Sequence, residues 1–416
     1  MLLSQDQRFS CQQCGKCCRR TTVPITAGEA ETYRKFGVAR LFAEGDGSES
    51  ATRDSFEPIP GYEPLLRIRK RPDGACGFLS PAGLCRIHET MGFDKKPIAC
   101  QLFPFSFHPA EGGVVVTTSF ACPAIIANEG EPLRTQAREL RVLHAGWSRE
   151  HPEPARRIEF VKGHALSPPV VTALRGILTK VIDRPGADGP PDLRENLRRV
   201  AVFLDDLARP RVRQLAPDAF AEYVNVMGRH AMTNPKPPPA RAASRLSRLL
   251  FRGFLLAALS VQVRLDEAIG ASPTMLRLAL FRLLAHLHGL APGTARFDLG
   301  RAMTTPLDLN ADGVHAIAHR YLHVSFETLG TGRRTLTDEV TMIVARLNAA
   351  CVLAGMHAAA AGKQAVGADT FTQGLLESAD LAHADDGGTF SSLLTTLSGG
   401  MEALYLFPPM YSYAHG

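Results

Sequence analysis

The sequence predicts a mainly α protein: a small cysteine-rich α+β domain over residues 1–130, followed by an all-α helical region over residues 131–416. Three observations predict it. Eight of the nine cysteines fall in the first 122 residues. That stretch divides into short elements separated by Gly, Pro and Asp turns. From about Glu131 the character changes, and Leu, Ala and Arg recur at helical spacing. A chain of 416 residues, 45% of them apolar, can bury a large soluble core and is long enough for two domains.

The elements follow in order. Phe9 to Arg19 reads FSCQQCGKCCR and holds Cys11, Cys14, Cys17 and Cys18. Thr26 and Glu29 have capping-box spacing, so a helix starts near Ala27, runs to about Phe36 and stops at Gly37. Residues 44–64, rich in Gly, Ser, Asp, Glu and Pro, read as an exposed loop. Leu65 to Lys70 alternates as a short strand does, and Pro72-Asp73-Gly74 turns the chain. Cys76 to Leu79 and Leu84 to His88 flank Ser-Pro-Ala-Gly, the pattern of a small hairpin or knuckle presenting two thiolates. Cys100 follows in KPIACQLFPF, and the aromatic run Phe103 to His108 is expected to pack over the site. Gly112-Gly113 and VVVTTSF form a strand that delivers Cys122.

Helices are expected at about 131–149, 169–183, 191–208, 216–229, 241–269, 273–289, 312–326, 337–361 and 370–381. Proline-rich connectors lie near 184–192 and 234–240. Cys351, inside LNAACVLAG, reads as a small buried apolar residue.

The cysteines carry the chemistry. Thiolates are soft anionic ligands suited to zinc and to iron–sulfur clusters. The spacing C-x2-C-x2-C-C lets neighbouring thiolates turn to a common centre, and Gly15 relieves the tight backbone. Cys17 and Cys18 are vicinal and are expected to point apart, so that at most one joins Cys11 and Cys14. The candidate metal ligands are Cys11, Cys14, Cys17, Cys18, Cys76, Cys85, Cys100 and Cys122. Eight thiolates suit one four-iron cluster plus a second thiolate site, or two zinc sites. The competing reading is a set of disulfides. MLLSQDQRFSC has no signal-peptide pattern, so a cytoplasmic chain is expected, and in that compartment clustered cysteines mean metal or redox chemistry. Cys122-Pro123 also matches the Cys-Pro ending of the bacterial ferredoxin ligand run.

The formal charge of +6 is spread along the chain and gives no nucleic-acid footprint. The apolar stretch from Leu249 to Val261, broken by Arg252, is too short to span a bilayer, so no membrane partner is expected.

The series C-x2-C-G-x-C-C (Cys11–Cys18), C-x-F-L (Cys76–Leu79), C-x-I-H (Cys85–His88) and C-x-x-F-P (Cys100–Pro104) resembles the YkgJ-type cysteine-cluster family of zinc- or iron-chelating domains. Ser119 to Pro123 is similar to an extra cysteine-proline element of flagellin lysine N-methylases. That resemblance implies a [4Fe-4S] cluster, S-adenosylmethionine as methyl donor, and a protein substrate with exposed lysines. The alternative is a non-catalytic zinc- or iron-binding module with a structural or metal-handling role.

Further motifs are weaker. His88 has ligand spacing from Cys85. His315, His319 and His323 share one helical face, and His286 and His288 lie on another predicted helix; neither set has a carboxylate at helical spacing. Asp308-Leu-Asn310-Ala-Asp312-Gly313 resembles the first half of a calcium loop, but position twelve is His319, so a loop capped by Asp312 fits better. No dinucleotide fingerprint, P-loop, nucleophile elbow or H-E-x-x-H is present.

Overall fold

The structure, a computed structural model, describes residues 1–20, 22–46, 54–59, 64–110, 113–150, 157–186, 189–236, 307–311, 313–331 and 334–383. Small antiparallel sheets and short helices occupy its first third, and long helices the rest.

The chain opens with β1 (Arg8–Phe9), which pairs with β7 (Glu131–Pro132) and so returns the start of the chain to the end of the cysteine-rich part. Gln7, fully buried, fixes this closure by donating to the Ile125 carbonyl at 3.2 Å and to Asn128 Oδ1 at 3.0 Å. Next come α1 (Lys16–Arg20) and β2 (Pro24–Ile25). The predicted capping box is present at the head of α2 (Ala27–Lys35): Glu29 N–H donates to Thr26 Oγ1, and Thr26 N–H donates to Glu29 Oε2.

The exposed loop expected over 44–64 is partly replaced by structure. Helix α3 runs Ala39–Asp46, and β3 (Phe56–Pro58) joins β4 (Leu66–Ile68) and β2 in the order β2-β4-β3. The reason is Phe56, which is buried between Tyr33 and Phe78, with ring centroids 6.0 and 6.3 Å away. Glu57 adds ion pairs at 2.8 Å to Arg67 on β4 and at 2.8 Å to Arg69 just after it.

The Cys76–His88 segment forms a turn closed by a Leu79–Cys85 bridge. Its second arm is helical, with α4 running Arg86–Met91. Then come α5 (Ile98–Leu102), the hairpin β5 (Phe105–Ala110) and β6 (Gly113–Thr118), and α6 (Pro123–Ala127).

The helix expected from 131 begins only at α7 (Ala137–Glu150), because β7 and a 3-10 turn over Leu133–Gln136 take up the intervening residues. Six further helices lie close to their expected positions: α8 (Pro168–Ile182), α9 (Leu193–Leu207), α11 (Pro217–Thr233), α12 (Val314–Glu327), α13 (Leu336–Ala360) and α14 (Ala368–His383); the short α10 (Pro210–Arg213), between α9 and α11, was not expected. The helices expected at 241–269 and 273–289, with His286, His288 and the stretch Leu249 to Val261, lie outside the described residues, as does most of the 234–240 connector.

Helix α13 is long and apolar enough to cross a membrane by composition, yet 72% of its most apolar window is buried within the protein. Gly374 lets α14 lie directly on α13: a Cβ there would stand 2.7 Å from the Ala354 nitrogen. The core of the helical part extends to Phe120, Cys122 and Ile125, and Phe120 meets Tyr321 edge-on at 5.1 Å. Arg320 on α12 donates to the Ile126 carbonyl.

Candidate metal centre

The first loop is built for close approach. Gly15 has φ +64°, and a Cβ there would stand 3.2 Å from the Gly83 carbonyl oxygen and 3.3 Å from Leu79 Cδ1. Glycine therefore serves both the backbone angle and the contact between the loop and the 80–84 turn. Cys11 and Cys14, before and within this loop, are exposed.

Cys17 and Cys18 sit in α1, partly buried, with their Sγ atoms 4.0 Å apart. The expectation that they diverge is overturned. On a helix, successive side chains are about 100° apart instead of alternating across a strand, so both reach one cavity. The Cys76 amide donates to the Cys18 carbonyl at 2.7 Å, which ties the second cysteine segment to the first. Cys85 and Cys122 occupy the positions just before α4 and α6, and Pro123 takes the first turn of α6. Cys100 lies on α5, whose first amide, Ile98 N–H, donates to Glu29 Oε1 at 3.2 Å.

All eight predicted cysteines line one cavity of about 420 Å³. Phe9, Phe78, Leu79 and Phe103 supply apolar wall, and His88, Glu89 and Lys96 also face it. Phe103, from the predicted aromatic run, does pack at the site, and the His88 ring meets Phe93 at 5.8 Å.

Burial favours the protonated form at three of these sulfurs, Cys76, Cys100 and Cys122. It pushes Cys76 up to about 11 and raises Cys100 further. It likewise pushes Cys122 up to about 11, although the amides of Ile125 and Ala124 pull the other way. The vicinal pair behaves differently. The hydrogen bond from Cys18, helped by the charge of Lys96, lowers Cys17 to about 6, while sharing that proton raises Cys18. The cavity thus sets the lowered Cys17 beside the raised thiols of Cys18, Cys76, Cys100 and Cys122, whose protons a cation must displace.

Among the described residues, no three His, Cys, Asp or Glu side chains stand close enough together to hold one ion as they are. A tetrahedral zinc with bonds of about 2.3 Å draws its sulfurs within roughly 4 Å of each other. Cys17 and Cys18 reach that spacing, but no third donor joins them. The donors nevertheless suit a thiolate-ligated metal: they are soft, numerous, walled by apolar side chains and drawn from distant parts of the chain.

The remaining motifs lie elsewhere. Cys351 is buried in α13 outside the cavity, as expected, and burial pushes it up to about 12. Asn310 N–H donates to Asp308 Oδ1 at 2.9 Å, a local turn leading to α12; Asp312 is outside the described residues. His315, His319 and His323 share one face of α12 but do not line the cavity. Asp183, the carboxylate partner of His319 and His323, was missed in the sequence because it comes from the end of α8, and Glu327, four residues beyond His323 on α12 itself, corrects the expectation that no carboxylate stands at helical spacing. Glu29 was read only as a cap, and its hold on the Cys100 helix had no local signal.

Residues 10–123 match the CxxCxxCC family, described as "putative zinc- or iron-chelating domain". Comparison with curated proteins and with solved structures returned no match. The cysteine-cluster resemblance is thus supported over about a quarter of the chain, and the likeness to flagellin lysine N-methylases gains no support.

Proposed function

We propose that the eight cysteines hold a [4Fe-4S] cluster on four of their thiolates, with the others forming a second thiolate site in the same cavity. One observation carries this reading. The eight sulfurs surround a cavity of about 420 Å³, yet no three donors close on a single point. A cluster places each thiolate on a different iron and so spreads its ligands further apart than one zinc ion does. Such a cluster supplies electron-transfer or Lewis-acid chemistry when bound. The chain's own residues ligate it, wall it from water with Phe9, Phe78 and Phe103, and offset its negative charge with Lys96.

Purification without oxygen, followed by visible absorption and analysis of iron, zinc and sulfide, tests this. A broad thiolate–iron band with matching iron and sulfide supports the cluster. Colourless protein with stoichiometric zinc replaces it with a zinc-binding module of structural or metal-handling role.

Methyl transfer from S-adenosylmethionine to a protein lysine is the reading that goes with the Ser119–Pro123 element. Its structural support is the apolar wall beside the thiols, which could seat the aliphatic stem of a lysine. Incubation with labelled S-adenosylmethionine and lysate of the native host tests it. Without bound donor or labelled protein, the non-catalytic module stands.

A further inference from the structure

A second constellation lies outside the cysteine cavity, on the helix that packs against α6. His315, His319 and His323 recur at intervals of four on α12, so their rings stack in a row, with centroids 5.7 and 5.9 Å apart. Opposite them, at the C-terminal end of α8, stands Asp183. Its Oδ1 is 2.9 Å from His319 Nε2 and its Oδ2 is 3.3 Å from His323 Nε2. His315 is already engaged, 2.9 Å from the Pro191 carbonyl.

We propose that His319 Nε2, His323 Nε2 and the Asp183 carboxylate form a binding site for one divalent first-row transition ion, of the zinc or iron(II) class, distinct from the cysteine centre. Two histidines four apart on one helical face are a natural chelate, and imidazole with carboxylate suits such ions. The nitrogen–oxygen separations of 2.9 and 3.3 Å match neighbouring ligands around one ion with bonds of about 2.0–2.2 Å. As they stand, the three side chains share protons pairwise and do not converge on one point. An ion replaces those protons and draws the two imidazoles together.

The surroundings favour a cation. Glu327, one turn beyond His323, accepts a long bond of 3.4 Å from the Gln5 amide through Oε1, and its Oε2 is buried with no hydrogen-bond partner among the described residues. Asp6 adds a further negative charge near His323. Burial alone would raise Asp183, but the hydrogen bonds from His319 and His323 outweigh it and hold the carboxylate well below its usual range.

The test is titration of Co²⁺ into the full-length protein purified without oxygen, its cysteine centre already filled. The expected result is uptake of one further Co²⁺ per chain, with the weak visible bands of nitrogen and oxygen ligation, no sulfur-to-cobalt charge transfer, and release of protons. His319→Ala with His323→Ala abolishes this uptake, and Asp183→Asn weakens it by about ten-fold or more. Both variants keep the absorption of the cysteine centre, and circular dichroism confirms their fold. Wild-type protein that takes up no such Co²⁺ overturns the proposal, whatever the variants do. So does uptake that persists undiminished in a folded double variant, or uptake accompanied by sulfur charge transfer.

Discussion

Glu29 Oε1 accepts the backbone N–H of Ile98 at 3.2 Å, while the other oxygen of the same carboxylate closes the capping box of α2. One side chain therefore caps α2 and holds the helix that carries Cys100. Glu29→Ala is expected to cost about 1–2 kcal/mol, the size of a lost cap plus an unmet amide. The checks are the denaturant midpoint and the rate at which Cys100 reacts with a thiol reagent, which should rise. Unchanged Cys100 reactivity would confine Glu29 to its own helix.

Gly15→Ala forces a side chain into a left-handed backbone conformation at φ +64°, against the Gly83 carbonyl at 3.2 Å. The conformational part alone costs about 1–2 kcal/mol. Metal content per chain should fall with it, because the strain falls between Cys14 and Cys17. Elemental analysis beside a thermal melt measures both.

Cys14→Ala and Cys351→Ala should separate cleanly. Cys14 lines the cavity and is exposed, so its loss removes metal with little effect on apolar packing. Cys351 lies in the helical core, and its loss should lower stability by roughly 1 kcal/mol while metal content stays at the wild-type level. Loss of metal from Cys351→Ala would place a ligand where the structure puts a core residue. Stripping wild-type protein with a chelator should loosen residues 10–123 before the long helices, as hydrogen exchange would show.

His357 and Glu377 join α13 to α14 at 2.9 Å. The hydrogen bond to Glu377 raises the histidine above its ordinary value against the opposing effect of burial. A raised folded-state value means the stabilisation is complete below the unfolded value of about 6.5 and is lost as pH rises through the folded value. The His357 side chain is 35% exposed, so solvent screens much of the effect. The melting midpoint should drop by a degree or two, roughly, from about pH 6 to about pH 8, and His357→Gln should flatten that slope. An identical slope in the variant would assign the effect elsewhere.

The helices were legible where local chemistry decides them. The α2 cap was readable from Thr26 and Glu29, and α13 from a long apolar periodic run beginning at Leu336. The set of eight cavity cysteines was legible because cysteine crowding is itself a signal. What could not be read depends on contacts between distant residues. Phe56 makes a strand of β3 only because Tyr33 and Phe78 receive its ring. The pointing of Cys17 and Cys18 depended on whether their five residues coil, which the short α1 decides. Asp183 and the α12 histidines are 136 residues apart at their closest pair, and no spacing rule bridges that interval.

Cys122 is a wall of the cavity and also a member of the core shared by α8, α9 and the later helices. During synthesis the other seven cavity thiols leave the ribosome well before α12 and α13 exist. The last sulfur gains its full packing once those helices close around Phe120 and Ile125. On the proposed reading, a chain cut before its helical part assembles leaves Cys122 without its packed surroundings and is expected to hold less than the full complement of metal.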